Sequence, residues 1–404
     1  MSDLPLDLSI LKPATRAVHG GERIELGAAR PTANSLHLST SFGYPTTDEL
    51  DGVFADNASG FVYSRHGNPN TRGFEAAIAS LEETDEAIAY PSGMAAINAA
   101  LTYAVAPGAH VLASQDIYGA TFGTLRTHFQ RFGVTPDFVD ILDLDAVLQA
   151  VRNHKPSAII LESISNPLIR VANIAALAGI AHEAGAILIV DNTFATPVLL
   201  QPARVGADIV VHSTTKFIGG HGDTTGGVIA TNSELAPVIR EQARLSGALA
   251  SPFDSWLSLR GLKTLPIRMR QHSENAAGVA DWLQGDVRVD RVFYPGMNAP
   301  VPEAQFANAW RGAMISFEIK GATGEQVFRF LDALDLCQSA TTLGDVYSLA
   351  LYPAISSHRG LSKEEREKIG IKDNLVRLSV GIEAIEDIIF DLDQALEIAI
   401  ATSK

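Results

Sequence analysis

The sequence predicts an α/β protein with a large domain built on a mainly parallel sheet, a smaller C-terminal α/β domain and an extended N-terminal arm. Helical and strand-like patterns alternate between residues 70 and 232, which indicates parallel strands connected by helices. Several strand-like stretches are continuous apolar runs, as expected for strands that helices cover on both faces. The length of 404 residues allows two or three domains.

The first 60 residues show no strong hydrophobic period and contain Gly20-Gly21, Pro31 and Pro45. We expect residues 1–60 to form an extended arm that wraps a partner subunit, or else a loosely packed tail. Residues 61–255 are predicted to form the large domain. Its strands are expected at 87–90, 110–113, 158–161, 186–190, 209–211 and 228–230, and its helices at 71–83, 93–105, 120–132, 144–154 and 173–185.

Residues 256–404 are predicted to form the smaller domain. Two helical stretches, 235–247 and 254–283, lead into it. Strands are then expected at 313–319 and 376–380, and helices at 324–334, 363–369 and 384–400. The charge run at 363–368 is typical of a solvated helix face.

Composition excludes several classes of protein. A formal net charge of −15 argues against nucleic acid as a partner, because phosphate binding needs a basic surface. The single cysteine, Cys337, allows neither an intramolecular disulfide nor a cysteine metal cluster, and suits the reducing cytoplasm. The N-terminus lacks the features of a signal peptide, and the longest apolar stretch, 94–106, is too short to span a membrane. We therefore expect a cytoplasmic protein with no membrane partner.

Lys216 follows the apolar run 208–212 after three hydroxyl residues, Ser213, Thr214 and Thr215. Ligands of open α/β sheets bind at the carboxyl ends of the strands. Burial disfavours the charge of an amine, so a lysine at this edge suits a neutral nucleophile that forms a Schiff base. This segment alone equally allows a surface lysine just past a strand end.

Two other strand ends carry polar groups. Ser92-Gly93-Met94 follows the first strand and opens a helix, where Ser92 can cap and Gly93 lets a ligand approach the backbone. The helix N-terminus suits a phosphate, although an ordinary N-cap has the same pattern. Asp191 ends the apolar run 187–190, and a buried carboxylate needs a cationic partner such as a protonated pyridine nitrogen. A capping or salt-bridged aspartate is the alternative.

Asn166 and Tyr118 also lie just beyond predicted strands. The amide of Asn166 can donate to a phenolic oxygen, and the ring of Tyr118 can stack on a planar cofactor or pack in a loop. A phosphate cradle, a stacking ring, an acid, an amide and a nucleophilic lysine are together what pyridoxal phosphate requires. A nicotinamide cofactor is disfavoured, because no Gly-x-Gly-x-x-Gly follows the first strand. We predict no metal, since the spacing of His212, His221 and Asp223 fits no common zinc pattern.

From about residue 15 to 398 the chain resembles the Cys/Met metabolism family of pyridoxal-phosphate enzymes, of fold type I. This group includes cystathionine γ-synthase, methionine γ-lyase and the homoserine-ester sulfhydrylases. The segments that carry the resemblance are 63–69, 92–94, 162–167, 191–193, 208–222, 253–255, 259–265 and 377–383. The match is specific for the family and much less so for the reaction.

The resemblance implies a role for each position in the cofactor site. Lys216 would carry the cofactor as a Schiff base and then shuttle protons, while Asp191 would keep the pyridine nitrogen protonated. The ring of Tyr118 would stack on the cofactor. Phosphate ligands would be the backbone N–H groups of Gly93 and Met94 and the hydroxyls of Ser213 and Thr215, and Asn166 would contact the phenolic oxygen.

The resemblance also implies substrate and subunit contacts. Arg377 would clamp the carboxylate of an amino-acid substrate, and the Thr342 hydroxyl can bind the same group. Tyr63 and Arg65 would reach the phosphate of the neighbouring subunit in a homotetramer, a dimer of dimers with shared active sites. Tyr63 and Tyr118 are candidates for proton transfer near the leaving group.

The loop 339–349 bears on the reaction. Its Leu343-Gly344-Asp345 triplet resembles methionine γ-lyases and sulfhydrylases, whereas cystathionine enzymes usually have Gly-Gly here. Thr341 replaces the glutamate of bacterial γ-synthases, and Ala120 stands where methionine γ-lyases have a cysteine. We therefore expect a γ-lyase that acts on a γ-substituted L-amino acid such as methionine, cystathionine, a homoserine derivative or canavanine. A γ-replacement transferase, either a homoserine-ester sulfhydrylase or a cystathionine γ-synthase, is the alternative.

Overall fold

The computed structural model describes residues 11–20, 32–55, 57–297, 300–357, 359–360 and 362–401. The predicted arm, 1–60, therefore lies partly outside the described residues. Its described part contains two short helices that the sequence pattern did not indicate, α1 (Pro13–His19) and α2 (Thr47–Phe54). Thr46 caps α2 by accepting a hydrogen bond from the Glu49 N–H.

Within the described residues, a seven-stranded sheet has the strand order β1-β7-β6-β5-β4-β2-β3. The strands are β1 (Glu86–Tyr90), β2 (His110–Ser114), β3 (Thr135–Val139), β4 (Ala158–Glu162), β5 (Ile187–Asp191), β6 (Ile209–Ser213) and β7 (Gly227–Thr231). The neighbouring strands β3, β2, β4, β5 and β6 pair in parallel, in that spatial order. Only β7 pairs antiparallel, with β1 on one side and β6 on the other. This confirms the predicted mainly parallel sheet. The carboxyl ends of β4, β5 and β6 consequently meet at one edge.

Strand β3 was missing from the sequence prediction. It lies at the edge of the sheet, and its side chains are partly exposed, so the segment has no continuous apolar run. Pro136 lacks a backbone N–H and is tolerated in a strand chiefly at such an edge. The strand is therefore defined by its pairing with β2 rather than by its own composition.

Helices cover both faces of this sheet. Alternate residues of β4 enter different cores: Ile159 and Leu161 pack in one, Ala158 and Ile160 in the other. This explains the continuous apolar runs. The predicted helix at 120–132 is irregular, because the short helix α5 (Gly119–Gly123) continues as a π turn, Thr124–His128, and a 3-10 turn, Phe129–Phe132. The helices of this part are α3 (Pro69–Glu82), α4 (Gly93–Ala104), α5 (Gly119–Gly123), α6 (Leu144–His154), α7 (Ile174–Glu183), α8 (Thr196–Leu199) and α9 (Ala236–Ser246).

A second sheet of the described chain has five strands in the order β10-β11-β12-β9-β8. Its strands are β8 (Val289–Phe293), β9 (Met314–Ile319), β10 (Gln338–Ser339), β11 (Leu349–Leu351) and β12 (Leu375–Ser379). The accompanying helices are α10 (Pro252–Leu262), α11 (Leu265–Gly285), α12 (Gly324–Asp332), α13 (Lys363–Lys368) and α14 (Ile385–Ile400). The smaller second sheet agrees with the predicted architecture.

The predicted single helix at 254–283 is instead two helices, α10 and α11, separated by Lys263 and Thr264. Pro266 lies in the first turn of α11, where its missing N–H costs no helical hydrogen bond. Across the residues that the structure describes, no helix is both long enough and apolar enough to cross a membrane.

Candidate active site

A cavity of about 480 Å³ lies at the carboxyl ends of β4, β5 and β6. It brings together most of the residues predicted for the cofactor and substrate. Those that line it are Gly93, Met94, Tyr118, Asn166, Asp191, Ser213, Thr215, Lys216 and Arg377. The remaining predicted residues are Thr342, which contacts Lys216 directly, and Tyr63 and Arg65, which lie elsewhere.

Lys216 follows β6, in the turn that leaves the large sheet. Its Nζ atom donates a hydrogen bond to Thr342 Oγ1 at 2.9 Å. Burial and the nearby Arg377 guanidinium lower the pKa of the Lys216 amine, and the Asp345 carboxylate opposes them. The amine is therefore held in place in an environment that favours its neutral, nucleophilic form.

The N-terminus of α4 borders the same cavity. Ser92 caps this helix, its hydroxyl accepting a hydrogen bond from the Ala95 N–H at 3.1 Å. A Cβ atom at Gly93 would lie 2.8 Å from the Cβ of Ser213, so only glycine lets α4 approach β6 this closely. The first backbone N–H groups of a helix have no partner within the helix, and they suit an anion.

Asp191 is the last residue of β5, and its carboxylate is held by Thr193. The same oxygen accepts a hydrogen bond from the Thr193 N–H at 3.0 Å and from its hydroxyl at 2.5 Å. Burial raises the pKa of Asp191, while the Thr193 hydrogen bonds and His212 oppose the rise. A positively charged partner inside the cavity would favour the ionised carboxylate and relieve this cost.

Glu162, at the end of the neighbouring strand β4, lines the cavity beside Asp191. Its two carboxylate oxygens accept hydrogen bonds from the backbone N–H groups of Tyr118, at 3.1 Å, and Asn166, at 3.0 Å. Burial, followed by the charges of Asp191 and Asp116, raises its pKa well above the ordinary glutamate value. Glu162 therefore fixes the loops that carry two predicted cofactor ligands.

Arg377 reaches the cavity from β12, in the second sheet. It donates to Asn166 Oδ1 and to the Thr342 carbonyl oxygen, both at 3.1 Å. Burial lowers its pKa to about 10, although the charges of Tyr118 and Glu162 act to raise it. Among the described atoms, its Nε has no hydrogen-bond partner, which leaves this buried guanidinium able to bind an anion.

Tyr63 and Arg65 are not brought to the Lys216 cavity within this chain. Arg65 lines a different cavity, of about 580 Å³, and donates to the Arg244 carbonyl oxygen at 3.2 Å. Its guanidinium lies 5.9 Å from the centre of the Tyr63 ring, and Tyr63 is 42% exposed. The two side chains therefore form an exposed pair of their own.

Comparison with known proteins identifies the family. Residues 14–397 match the model of the Cys/Met metabolism PLP-dependent enzymes. The chain is 41% identical over 389 residues to an L-methionine γ-lyase of Fusobacterium nucleatum subsp. polymorphum, covering 95% of this chain and 97% of that protein. The chain belongs to the Cys/Met metabolism family of PLP-dependent enzymes.

Other members of the Cys/Met metabolism family are nearly as similar. An O-succinylhomoserine sulfhydrylase of Pseudomonas aeruginosa is 39% identical over 385 residues, covering 95% of this chain and 94% of that protein. The crystal structure of a putative O-acetylhomoserine (thiol)-lyase from Campylobacter jejuni is 31% identical in sequence and superposes with a TM-score of 0.88, covering 96% of this chain and 100% of that one. That crystal structure contains a pyridoxyl-lysine phosphate. Fold type I and pyridoxal phosphate as the family cofactor agree with the sequence-based predictions.

The residues of the Lys216 cavity fit this cofactor. They provide an amine with a lowered pKa, a carboxylate whose burial calls for a cationic partner, and a helix N-terminus for a phosphate. The close approach at Gly93 leaves the N-terminus of α4 beside Ser213. These are the groups that a Cys/Met metabolism enzyme needs to hold pyridoxal phosphate.

Sequence reasoning missed the contributions of Glu162 and Thr193. Glu162 ends an apolar strand, as Asp191 does, and this position was the signal that could have identified it. Thr193 had no such signal, because its importance lies in a hydrogen bond to a residue two positions earlier. The sequence identifies Asp345 only as part of the Leu343-Gly344-Asp345 triplet, whereas in the structure its charge raises the pKa of Lys216.

Proposed function

We propose that this enzyme is a γ-lyase. It would remove the γ substituent from a γ-substituted L-amino acid, such as methionine, cystathionine, a homoserine derivative or canavanine, and release a 2-oxo acid and ammonia. The observation that carries this proposal is the Lys216 amine, with a lowered pKa, in one cavity with Asp191 and Arg377. Relatives named L-methionine γ-lyase support elimination over replacement.

The cofactor would be held by groups from three strand ends. The N–H groups of Gly93 and Met94 and the hydroxyls of Ser213 and Thr215 would bind the phosphate, and Asp191 would pair with the pyridine nitrogen. When bound, pyridoxal phosphate supplies an electron sink for the electron pair left when the substrate loses its Cα proton.

Two further side chains would orient the cofactor ring, Tyr118 by stacking and the Asn166 amide at the phenolic oxygen. The Oδ1 atom of Asn166 already accepts a hydrogen bond from Arg377, so its Nδ2 is the atom oriented to donate. Tyr118 and Asn166 both have their backbones fixed by Glu162. Their positions would therefore change together if Glu162 were removed.

Lys216 would move the protons of the reaction. A neutral amine could accept a proton from Cα. Once it had returned that proton to the cofactor-bound substrate and was neutral again, it could take one from Cβ, which would allow the γ substituent to leave. The Thr342 hydroxyl holds Nζ at 2.9 Å and would limit the directions in which the amine can turn. Tyr118, and Tyr63 of the neighbouring subunit, would provide a proton to the leaving group.

Arg377 would bind the substrate carboxylate. Its contacts with Asn166 and Thr342 fix the plane of the guanidinium before substrate arrives. A preoriented guanidinium can form two parallel hydrogen bonds with a carboxylate, and thereby orients Cα toward Lys216. The Thr342 hydroxyl would add a hydrogen bond to the same carboxylate.

Tyr63 and Arg65 would act on the phosphate of a neighbouring subunit. Their exposure on this chain, away from Lys216, supports an active site shared between subunits.

We further propose a homotetramer, a cytoplasmic location, and a chain divided into an arm (1–60), a large domain (61–255) and a C-terminal domain (256–404). Analytical ultracentrifugation tests the tetramer, and mixing Arg65→Ala with Lys216→Ala chains tests the shared site, because mixed dimers would regain part of the activity.

A γ-replacement transferase is the second candidate, favoured by the similarity to the O-succinylhomoserine sulfhydrylase. Incubating the holoenzyme with each candidate substrate, with and without sulfide or cysteine, separates the two. A 2-oxo acid with ammonia, or homoserine, formed without added thiol supports the lyase. Product that forms only when a thiol is present would contradict it.

A further inference from the structure

Two histidines and an aspartate form a cluster at the outer end of the large sheet. The Nδ1 atom of His110 lies 3.1 Å from Asp137 Oδ2, and the Nδ1 atom of His154 lies 3.6 Å from the same oxygen. Each of the three residues offers one ligand atom within 4.8 Å of the other two, and the two imidazole rings have centroids 5.5 Å apart. Three potential metal ligands therefore point at one small volume.

The cluster is supplied by three regular elements. His110 begins β2, Asp137 is the central residue of the edge strand β3, and His154 is the last residue of α6. In the parallel β2–β3 pair, His110 is opposite Thr135, so His110 and Asp137 are diagonal neighbours. Backbone hydrogen bonds thus fix two of the three ligands, and the end of a helix adds the third.

Two of the three ligand separations suit a tetrahedral transition-metal site. Ligands at about 2.0–2.1 Å from zinc in tetrahedral geometry lie about 3.3 Å from one another. The two distances to Asp137 Oδ2, 3.1 and 3.6 Å, lie on either side of that value. Imidazole nitrogen and carboxylate oxygen are also ligands that zinc accepts, whereas magnesium and calcium prefer oxygen alone.

The cluster does not belong to the Lys216 cavity. His110 is at the amino-terminal end of β2, whereas the cavity lies at the carboxyl ends of the parallel strands. The His110, Asp137 and His154 side chains are 34%, 29% and 38% exposed, which leaves room for water as a fourth ligand. An ion bound there would connect β2, β3 and α6 and would have no part in catalysis.

We propose that His110, Asp137 and His154 bind one divalent transition-metal ion of the zinc type, through Nδ1 of each histidine and Oδ2 of the aspartate. The ion would join the edge strand β3 to its neighbours and stabilise this end of the sheet. Sequence spacing gave no indication of it, because the three positions are far apart in the chain and become neighbours only in the folded sheet.

The test uses the holoenzyme after treatment with a chelator and dialysis. Zinc chloride is titrated by calorimetry, and cobalt chloride by the visible absorbance that tetrahedral cobalt gives. We expect one ion per chain and a melting temperature that rises with zinc. His154→Ala should weaken zinc binding by more than about tenfold, with activity unchanged.

The chain offers a matched control. His182 and Asp208 form a similar contact, with Nε2 and Oδ2 3.1 Å apart, and no second histidine joins them among the described residues. His182→Ala should leave zinc binding unchanged, and His154→Gln serves as a second variant in case His154→Ala folds poorly. No binding by the wild-type chain, or equal binding by the His154 variants and wild type, would overturn the proposal.

Discussion

The floor and the rim of the Lys216 cavity are built in different ways. The floor consists of Gly93, Asp191 and Lys216, at the start of α4 and just at or beyond the ends of β5 and β6. The rim consists of Thr341 and Ser356, which come from irregular segments near the second sheet. Strand ends are fixed by ladder hydrogen bonds on both sides, whereas the rim depends on loops.

This difference explains why the cofactor is easier to deduce than the substrate. The floor groups lie at strand ends and at a helix start, and the hydrogen bonds of the sheet fix these places. The chemistry of the groups matches one cofactor. Loops tolerate substitution far better than paired strands, so the groups that contact a γ substituent can differ between relatives. Consistent with this, similar relatives carry the names of a lyase and of a sulfhydrylase.

The largest effect should come from the floor lysine. Lys216→Ala removes the amine that we propose attaches the cofactor and moves protons, so we expect activity to fall by about 1000-fold or more. The absorbance of the lysine-bound cofactor should disappear as well. Lys320→Ala, which changes an exposed lysine just after β9, is the control. Retention of both signals by Lys216→Ala would show that the floor has been assigned wrongly.

Asp191→Asn should have the next largest effect, since the amide cannot supply the charge that keeps a pyridine nitrogen protonated. We expect kcat to fall by about 100-fold or more, with the cofactor still attached to Lys216. Steady-state kinetics and the absorbance spectrum measure the two effects. Asp191→Glu keeps the charge and should recover part of the activity, while equal activity of wild type and Asp191→Asn would contradict the proposed pairing.

Arg377 connects the loop after β4 with the segment beside the rim residue Thr341, through its hydrogen bonds to Asn166 and to the Thr342 backbone. Arg377→Lys keeps a positive charge but loses the planar pair of donors. We expect kcat/KM to fall by about 10- to 100-fold, equally for all substrates, because every one has the same carboxylate. If the loss differed strongly between substrates, Arg377 would instead contact the γ substituent.

A rim variant should behave in the opposite way. Thr341→Val has nearly the same shape and removes a hydroxyl that lines the cavity. We expect the ratio of kcat/KM values for polar and apolar γ substituents to change by about tenfold or less. The cofactor absorbance should not change. Equal effects on every substrate would mean that the rim does not distinguish them.

The smallest effect is a change in pH dependence. Burial and Arg377 lower the pKa of Lys216, whereas Asp345 raises it. Cofactor uptake by the apoenzyme needs the neutral amine, so its rate should rise with pH and level off below the ordinary lysine pKa. Asp345→Asn removes the charge that favours the ammonium form, and the midpoint should move to lower pH. Stopped-flow absorbance measures uptake, and a midpoint that moves upward would contradict this assignment.

The sequence was most informative where the residues of one segment determine the structure of that segment. The central strands of the large sheet were predicted from continuous apolar runs, and Lys216, Asp191 and Gly93 from their places at strand ends. It was least informative where a neighbour determines the structure. Strand β3 contains Pro136 and is held by β2. The break between α10 and α11 is a different case, because Pro266 in the first turn of α11 is a local signal within a long helical pattern.

The sequence by itself determined the fold class, the cofactor and the lysine that would carry it, because hydrophobic period and strand-end chemistry are local properties. Only the tertiary structure decided which distant groups meet. It brought Thr342 to Lys216, Glu162 to the Tyr118 backbone, and His154 to Asp137, and it left Arg65 away from the cavity. Such contacts depend on strand register and on how the sheets and helices pack. No single segment of the sequence contains that information.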